Sequence, residues 1–202
     1  MASPSPISNQ DAPAAARPGP AVNTPALSAR HTRLIAEQIR ALAGPVAEAV
    51  EQLAGPLPTV RTLVTGRVRG ALASAAAEAS AIGGLTLRAR LRDAVSTWWM
   101  TRRNTVTATC VLADDGVLIV VFAPALRAAP GDVLVEVFGH ELVHAAQVHR
   151  PGRREERLED LRSNHGITKR PPADSYRAES KVCLEEAQAH ELEAAIKELT
   201  GR

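Results

Sequence analysis

The sequence predicts an α+β fold built around one core, and three observations carry that expectation. Apolar residues recur at helical spacing through most of the chain; between Thr105 and Phe122 the period drops from about 3.6 to about 2; and helical spacing resumes after Pro130-Gly131-Asp132. A length of 202 residues favours one domain with an extension over two domains of equal weight. Hydrophobic residues make up 45% of the chain, but many are alanine and only Phe122, Phe138, Trp98, Trp99 and Tyr176 are aromatic, which points to a thin, mainly helical core.

Residues 1–27 are rich in Ala, Pro, Ser and Asn, with almost no large apolar side chains to offset the entropy of ordering, and are expected to be a disordered tail. Residues 28–103 read as a helical region. Leu34, Ile35, Ile39 and Leu42 follow a Ser28 cap, and Gly44-Pro45 predicts a break before a second short helix that ends at Gly55-Pro56. Thr59 to Ala81 reads as a third helix stopped by Gly83-Gly84, and Leu85 to Met100 as a fourth, with Leu87, Leu91, Val95, Trp98 and Trp99 in a stripe.

Residues 104–202 carry the rest of the pattern. Thr105 to Leu112 alternates, Asp114-Asp115-Gly116 supplies a turn, and Val117 to Phe122 reads as a more buried strand, together a β-hairpin or small antiparallel sheet. Asp132 is placed to cap a helix that runs to Val148 before Pro151-Gly152. The charged stretch 150–175 predicts a surface connection with one short helix over Arg154 to Arg162, and Ser175 to Leu199 a final helix with Val182, Ala189, Leu192, Ile196 and Leu199 in its stripe.

Composition excludes several function classes. With 24 basic and 22 acidic residues the net charge of +2 gives no overall field for nucleic acid or an acidic membrane. Cys110 and Cys183 form no C-x-x-C pair and are expected to be reduced core residues. The first twenty residues lack a basic and apolar leader, and no stretch reaches the ~18 apolar residues of a membrane span, so a cytoplasmic location is the default expectation.

The chemistry centres on His140-Glu141-Leu142-Val143-His144. Histidines four apart on a helix point the same way from successive turns and can grip one metal ion, for which two neutral imidazoles favour Zn2+. Glu141 lies about 100° round the helix, beside the metal face, where a general base for an acidified water belongs. Leu134, Phe138, Leu142 and Ala145 form the packing face behind it. A catalytic zinc takes a third protein ligand, and the final helix offers Glu185 and Glu186, with Glu185 nearer the centre of the apolar stripe and Glu186 on its flank. The Gly and His that metzincins place after this motif are Ala146 and Arg150 here, which excludes that class, and Cys110 lacks the surroundings of the peptide deformylase cysteine.

His165 lies in a charged loop, where a solvated side chain is the ordinary expectation, with a ligand or transition-state donor as the functional one. His190, four residues after Glu186, either approaches the site or is an exposed helix histidine. Tyr176 is an oxyanion-stabiliser candidate against a packing role, and Asp160 and Asp174 are possible further ligands. His149 faces away from the metal face.

Gly139-His140-Glu141-Leu142-Val143-His144-Ala145-Ala146-Gln147, followed by a helix bearing Glu186-Ala187-Gln188-Ala189, resembles the gluzincins, particularly the compact minigluzincins and the ImmA/IrrE-type peptidases. The resemblance covers residues 105–200 and implies a zinc metallopeptidase with a protein or peptide substrate, Glu186 as third ligand, and a strand beside the active helix able to pair with an extended substrate, for which Val117 to Phe122 is the candidate; the continuous apolar run of that segment equally fits a simply buried strand. Variants of this reading are a toxin or effector peptidase, and a regulatory or interaction protein whose zinc site is structural or vestigial.

Overall fold

The computed structural model describes residues 19–25, 29–103 and 106–201, so most of the expected tail, Ser28 and Thr105 lie outside the described residues. In chain order the elements are β1 Ala21–Asn23, α1 Arg30–Ala54, β2 Val60–Thr65, α2 Arg67–Ile82, α3 Leu87–Arg102, β3 Ala108–Ala113, β4 Gly116–Phe122, a short 3-10 turn Ala123–Ala125, α4 Gly131–His149, α5 Arg153–Asn164 and α6 Pro172–Leu199. The fold is α+β, as expected, but the sheet is mixed: its order is β1-β2-β4-β3, with β1 and β4 both parallel to β2 and only β3 antiparallel to β4.

Two strands therefore come from segments read otherwise. Ala21–Asn23, inside the expected tail, pairs with Arg61–Leu63. Val60–Thr65, inside the expected third helix, pairs in register with Val117–Phe122. Its alternation of buried Val60, Thr62 and Val64 with Arg61 and Leu63 is that of a strand, and Gly66 separates it from the alanine-rich helix that follows.

The break expected at Gly44-Pro45 is absent, and α1 is one helix of 25 residues with Pro45 inside it. Proline costs an interior helix about 3 kcal/mol. Against that, Ile35, Ile39, Leu42, Val46 and Val50, spaced four or three apart, are all buried on one face, and each full burial of such a side chain stabilises by about 1.5–3 kcal/mol.

The two faces of the sheet are covered by different helices. Val60, Val64, Val117, Ile119 and Val121 join residues of α1 and α4 in one cluster that also takes Ala189 and Ile196 of α6. Val120 and Phe122 point to the other face, where they meet Gly70 of α2, and α3 packs on α2. Residues of the expected helical region and of the expected peptidase core thus share one hydrophobic cluster, and the boundary near residue 103 falls within it.

α4 is the most deeply set helix: Leu134, Phe138 and Leu142 are fully buried, as expected for its packing face. Asp132 lies in its first turn and not at the cap, which is Pro130, so its carboxylate acts on the helix dipole only. At Gly139 an added Cβ would lie 3.1 Å from Ile196 Cγ2 and 3.5 Å from Val46 Cγ1, so the missing side chain is what lets α1 and α6 close on α4 beside His140. Gly139→Val is expected to destabilise the chain by about 1–3 kcal/mol through overpacking, read as a lower denaturant midpoint at unchanged slope.

Candidate metal centre

A cleft of about 520 Å³ opens between β3, α4, α5 and α6. It is lined by His140, Glu141 and His144 from α4, by Glu185, Glu186, His190 and Glu193 from α6, and by the whole of β3 up to Leu112. His140 Nε2 and His144 Nε2 lie 3.0 Å apart, and Glu186 reaches over them with Oε2 3.4 Å from His140 Nε2 and Oε1 3.4 Å from His144 Nε2. The structure so places Glu186, and not Glu185, with the histidines. Glu185, although nearer the apolar stripe, accepts from Arg153 Nε and Nη2 at 2.9 and 2.6 Å, and this clamp turns its carboxylate toward α5.

The hydrogen bonds around the two imidazoles fix their protons. His140 Nδ1 lies 2.9 Å from Glu193 Oε1, and a carboxylate only accepts, so Nδ1 carries the hydrogen. His144 Nδ1 lies 2.8 Å from Gln147 Oε1. The orientation of that amide is set by its Nε2, which donates to the Glu185 carbonyl at 2.9 Å and to Gln188 Oε1 at 3.2 Å. His144 Nδ1 is therefore also a donor, and both Nε2 atoms present lone pairs.

Two imidazole lone pairs and two carboxylate oxygens then converge with no donor among them. Burial lowers the pKa of His144, against the raising effects of Gln147 and Glu186, so a proton there is disfavoured. A cation would resolve the convergence. In a tetrahedral site with ligands about 2.0–2.1 Å from a metal, neighbouring donor atoms lie about 3.3–3.4 Å apart. Each Glu186 oxygen lies at about that separation from one of the two imidazoles, and the histidine pair is within a few tenths of an ångström of it.

Glu141 is buried beside this group. Burial, with the Glu186 charge next to it, pushes its carboxyl up to about 8, against a hydrogen bond from the Cys110 backbone that holds it down. That bond follows from the strand phase. Phe122 N–H donates to Thr107 O at 2.9 Å, so Thr109 and Val111 turn their backbone groups to β4, while Ala108, Cys110 and Leu112 turn theirs to the cleft. β3 is the edge strand on the cleft side; β4, the strand expected to accept a substrate, lies between β2 and β3 and has no free edge.

The remaining candidates separate. His190 comes to the mouth of the cleft, its ring 4.8 Å from that of His140 and its Nδ1 2.7 Å from Glu193 Oε1. Tyr176 is 69% exposed and does not line the cleft. His165 is not solvated: its side chain is 9% exposed, 3.5 Å from Asp93 at the junction of α3 and α5. Asp160 pairs with Arg170, Asp174 with Arg177, and His149 is exposed. Cys110 is a free thiol in the cleft wall whose pKa burial raises; Cys183, expected in the core, is exposed because α6 buries only a narrow line about Ala189 and Ile196, which also leaves Leu199 in solvent.

Gln147 and Glu193 carry roles the sequence reading did not assign. Gln147 stands three residues after His144, one turn on along the same face, and that spacing was the available signal. Glu193 stands seven after Glu186, again the same face of its helix, but its pairing depends on how α6 lies against α4. Among the described residues His140, His144 and Glu186 could hold one ion, and His140, His190 and Glu193 form the other His/Glu group of that kind. In the second group two ring N–H donors already share Glu193 Oε1, which satisfies it without a metal.

Comparison with protein-family models, with curated proteins and with solved structures returns no match. Glu193→Ala is expected to weaken metal binding at the His140–His144–Glu186 group by about 10–100-fold in competition titration against a chromophoric chelator. Glu185→Ala is expected to leave that affinity within about threefold, since its carboxylate faces Arg153.

Proposed function

We propose that the chain is a zinc-dependent peptidase in which His140, His144 and Glu186 hold one Zn2+ and Glu141 is the general base. The observation that carries the proposal is the convergence of those three ligand groups immediately over the buried carboxylate of Glu141. Bound there, zinc would supply an acidified water and polarise a carbonyl oxygen.

The chain's own residues supply the rest. Gln147 and Glu193 hold both imidazoles in the Nδ1–H form and aim Nε2 inward. Cys110 N–H anchors Glu141, which leaves its second oxygen to take a proton from the attacking water and later to deliver it to the leaving amine. A positive ion beside Glu141 opposes the burial that raises its pKa and favours the carboxylate that a base requires.

The outward backbone groups of Ala108 and Leu112, with the carbonyl of Cys110 whose N–H is taken by Glu141, suit an extended peptide laid along β3 as a further strand, its carbonyls carried past Glu141. Arg154, which donates to the carbonyls of Ala113, Asp114 and Gly116, closes the turn end of that track. The resemblance to gluzincins agrees with this reading and supplies the peptide as substrate class.

Two measurements test it. Elemental analysis of the purified chain is expected to find about one zinc per chain, and a metal-free protein unable to take up zinc would sink the proposal. Against a mixed peptide library, Glu141→Gln is expected to lower kcat by about 10²–10⁴-fold with zinc retained. Wild-type-like cleavage by that variant, or no cleavage by the zinc-loaded wild type, would show that the site serves another purpose.

A further inference from the structure

The exposed large apolar side chains are not spread evenly. Val68 and Leu72 of α2, and Leu87, Leu91, Val95 and Trp99 of α3, are 49–72% exposed and lie on one helical hairpin, whereas among the described residues α1 exposes only Leu34 and Leu53, α5 none, and α6 only the widely spaced Tyr176, Leu184 and Leu199. Leu87, Leu91 and Val95 are four residues apart, and with Trp98 and Trp99 they make a stripe about 18 Å long beside the face of α3 that buries Ala94 and Thr101. Arg67 Nε donates to Thr101 O at 2.9 Å, which brings Val68 and Leu72 to the same end of the hairpin as the tryptophans.

Charge is distributed around this stripe with one sign. Residues 87–103 contain Arg88, Arg90, Arg92, Arg102 and Arg103 against a single acid, Asp93. Asp93 is turned inward to His165 at 3.5 Å, with Arg92 3.6 Å away. By helical angle Arg88, Arg92 and Arg103 run along the open flank of the stripe, while the guanidinium of Arg103 stacks 3.4 Å over Trp99 and that of Arg102 lies 5.5 Å from Trp98. An apolar stripe with tryptophans at one end and arginines along its flank is the pattern of a helix that lies in the headgroup layer of a membrane. No described helix is long and apolar enough to cross one.

We infer that the outer face of α3, extended by Val68 and Leu72, docks the protein in plane on an anionic lipid surface, with Leu87, Leu91, Val95 and Trp99 among the acyl chains and the arginines on lipid phosphates. Other occupants fit less well. A second copy on the same face would set arginine against arginine. Nucleic acid would satisfy the arginines but press the leucines and valine onto phosphates. Residues 1–18 offer only Met1 and Ile7 as large apolar groups and one acid, Asp11, and so complement neither the stripe nor the charge.

The chain has two tryptophans, both on α3, so its fluorescence reports this helix alone. With the full chain at low salt and vesicles of phosphatidylglycerol and phosphatidylcholine, we expect co-sedimentation, a blue shift of the emission and quenching by brominated lipid, with binding at least about tenfold weaker to phosphatidylcholine alone. Leu91→Ser with Val95→Ser is expected to weaken binding about tenfold or more, and Arg88→Glu with Arg92→Glu likewise. All four positions are exposed, and circular dichroism checks the fold. Absence of binding to anionic vesicles, binding with no change in emission, or double variants that bind as the wild type would each overturn the inference. So would a lipid-free dimer that the Leu91→Ser, Val95→Ser change dissolves, which would assign the face to a second copy.

Discussion

The contact on which the site depends is the close approach of α6 to α4 at Gly139. Ile196 is fully buried against that glycine, and Val46 of α1 lies against it as well. A helix gains one residue of height per 1.5 Å, so fixing Ile196 beside the residue before His140 also fixes where residues 193 and 186 stand along α4. Glu193 then meets His140, and Glu186, about two turns further back, meets both histidines. A shift of one residue along α6 would rotate both carboxylates by about 100° and separate them from the imidazoles. The Lys197–Glu136 ion pair lies at the same junction, but it is partly exposed and such pairs are worth little, so the apolar contact is what sets the register.

Burial on one side and charge on the other divide the work of α4. Its inner face rests on the sheet and α1, and its outer face carries the histidines at 15% and 19% side-chain exposure. At that depth water competes weakly with the hydrogen bonds to Gln147 and Glu193, so the tautomers they impose persist. Gln147 is itself fully satisfied through the Glu185 carbonyl and Gln188, and it links His144 to the backbone of α6 one residue before Glu186. Both imidazoles are thus tied to α6 by hydrogen bonds that do not involve Glu186.

What the sequence disclosed follows the range over which each signal acts. His140 and His144 were legible because four residues on a helix is a local spacing, and the β3-β4 hairpin because its alternation and turn are contiguous. β2 was not, since six residues beginning Val60-Arg61-Thr62 merge into an alanine-rich helix, and their parallel partner is some 57 residues away in β4. β1 has three residues and its pairing is wholly non-local. Pro45 was read by its local preference, which the unbroken buried face of α1 overrides. Neighbouring glutamates were beyond the helical wheel because Arg153, at the start of the short helix expected within the charged connection, withdraws Glu185, and that pairing depends on how α5 lies against α6.

The near-zero net charge conceals a separation of charge that the fold creates. Glu78, Glu136, Glu141, Glu185, Glu186 and Glu193 line the cleft, with Arg153 and Arg157 the basic groups among them, while the arginines of α3 lie outside it. A cleft with such walls concentrates cations. Its own acids repel one another, which is part of why Glu141 is pushed up to about 8. The same carboxylates that would destabilise an empty acidic cleft become favourable once a divalent ion shares it, because each then faces a charge of opposite sign at short range in a region of low dielectric. Cation binding and the ionisation of Glu141 would in this sense be one equilibrium: an ion held by Glu186 would also let its neighbour lose its proton.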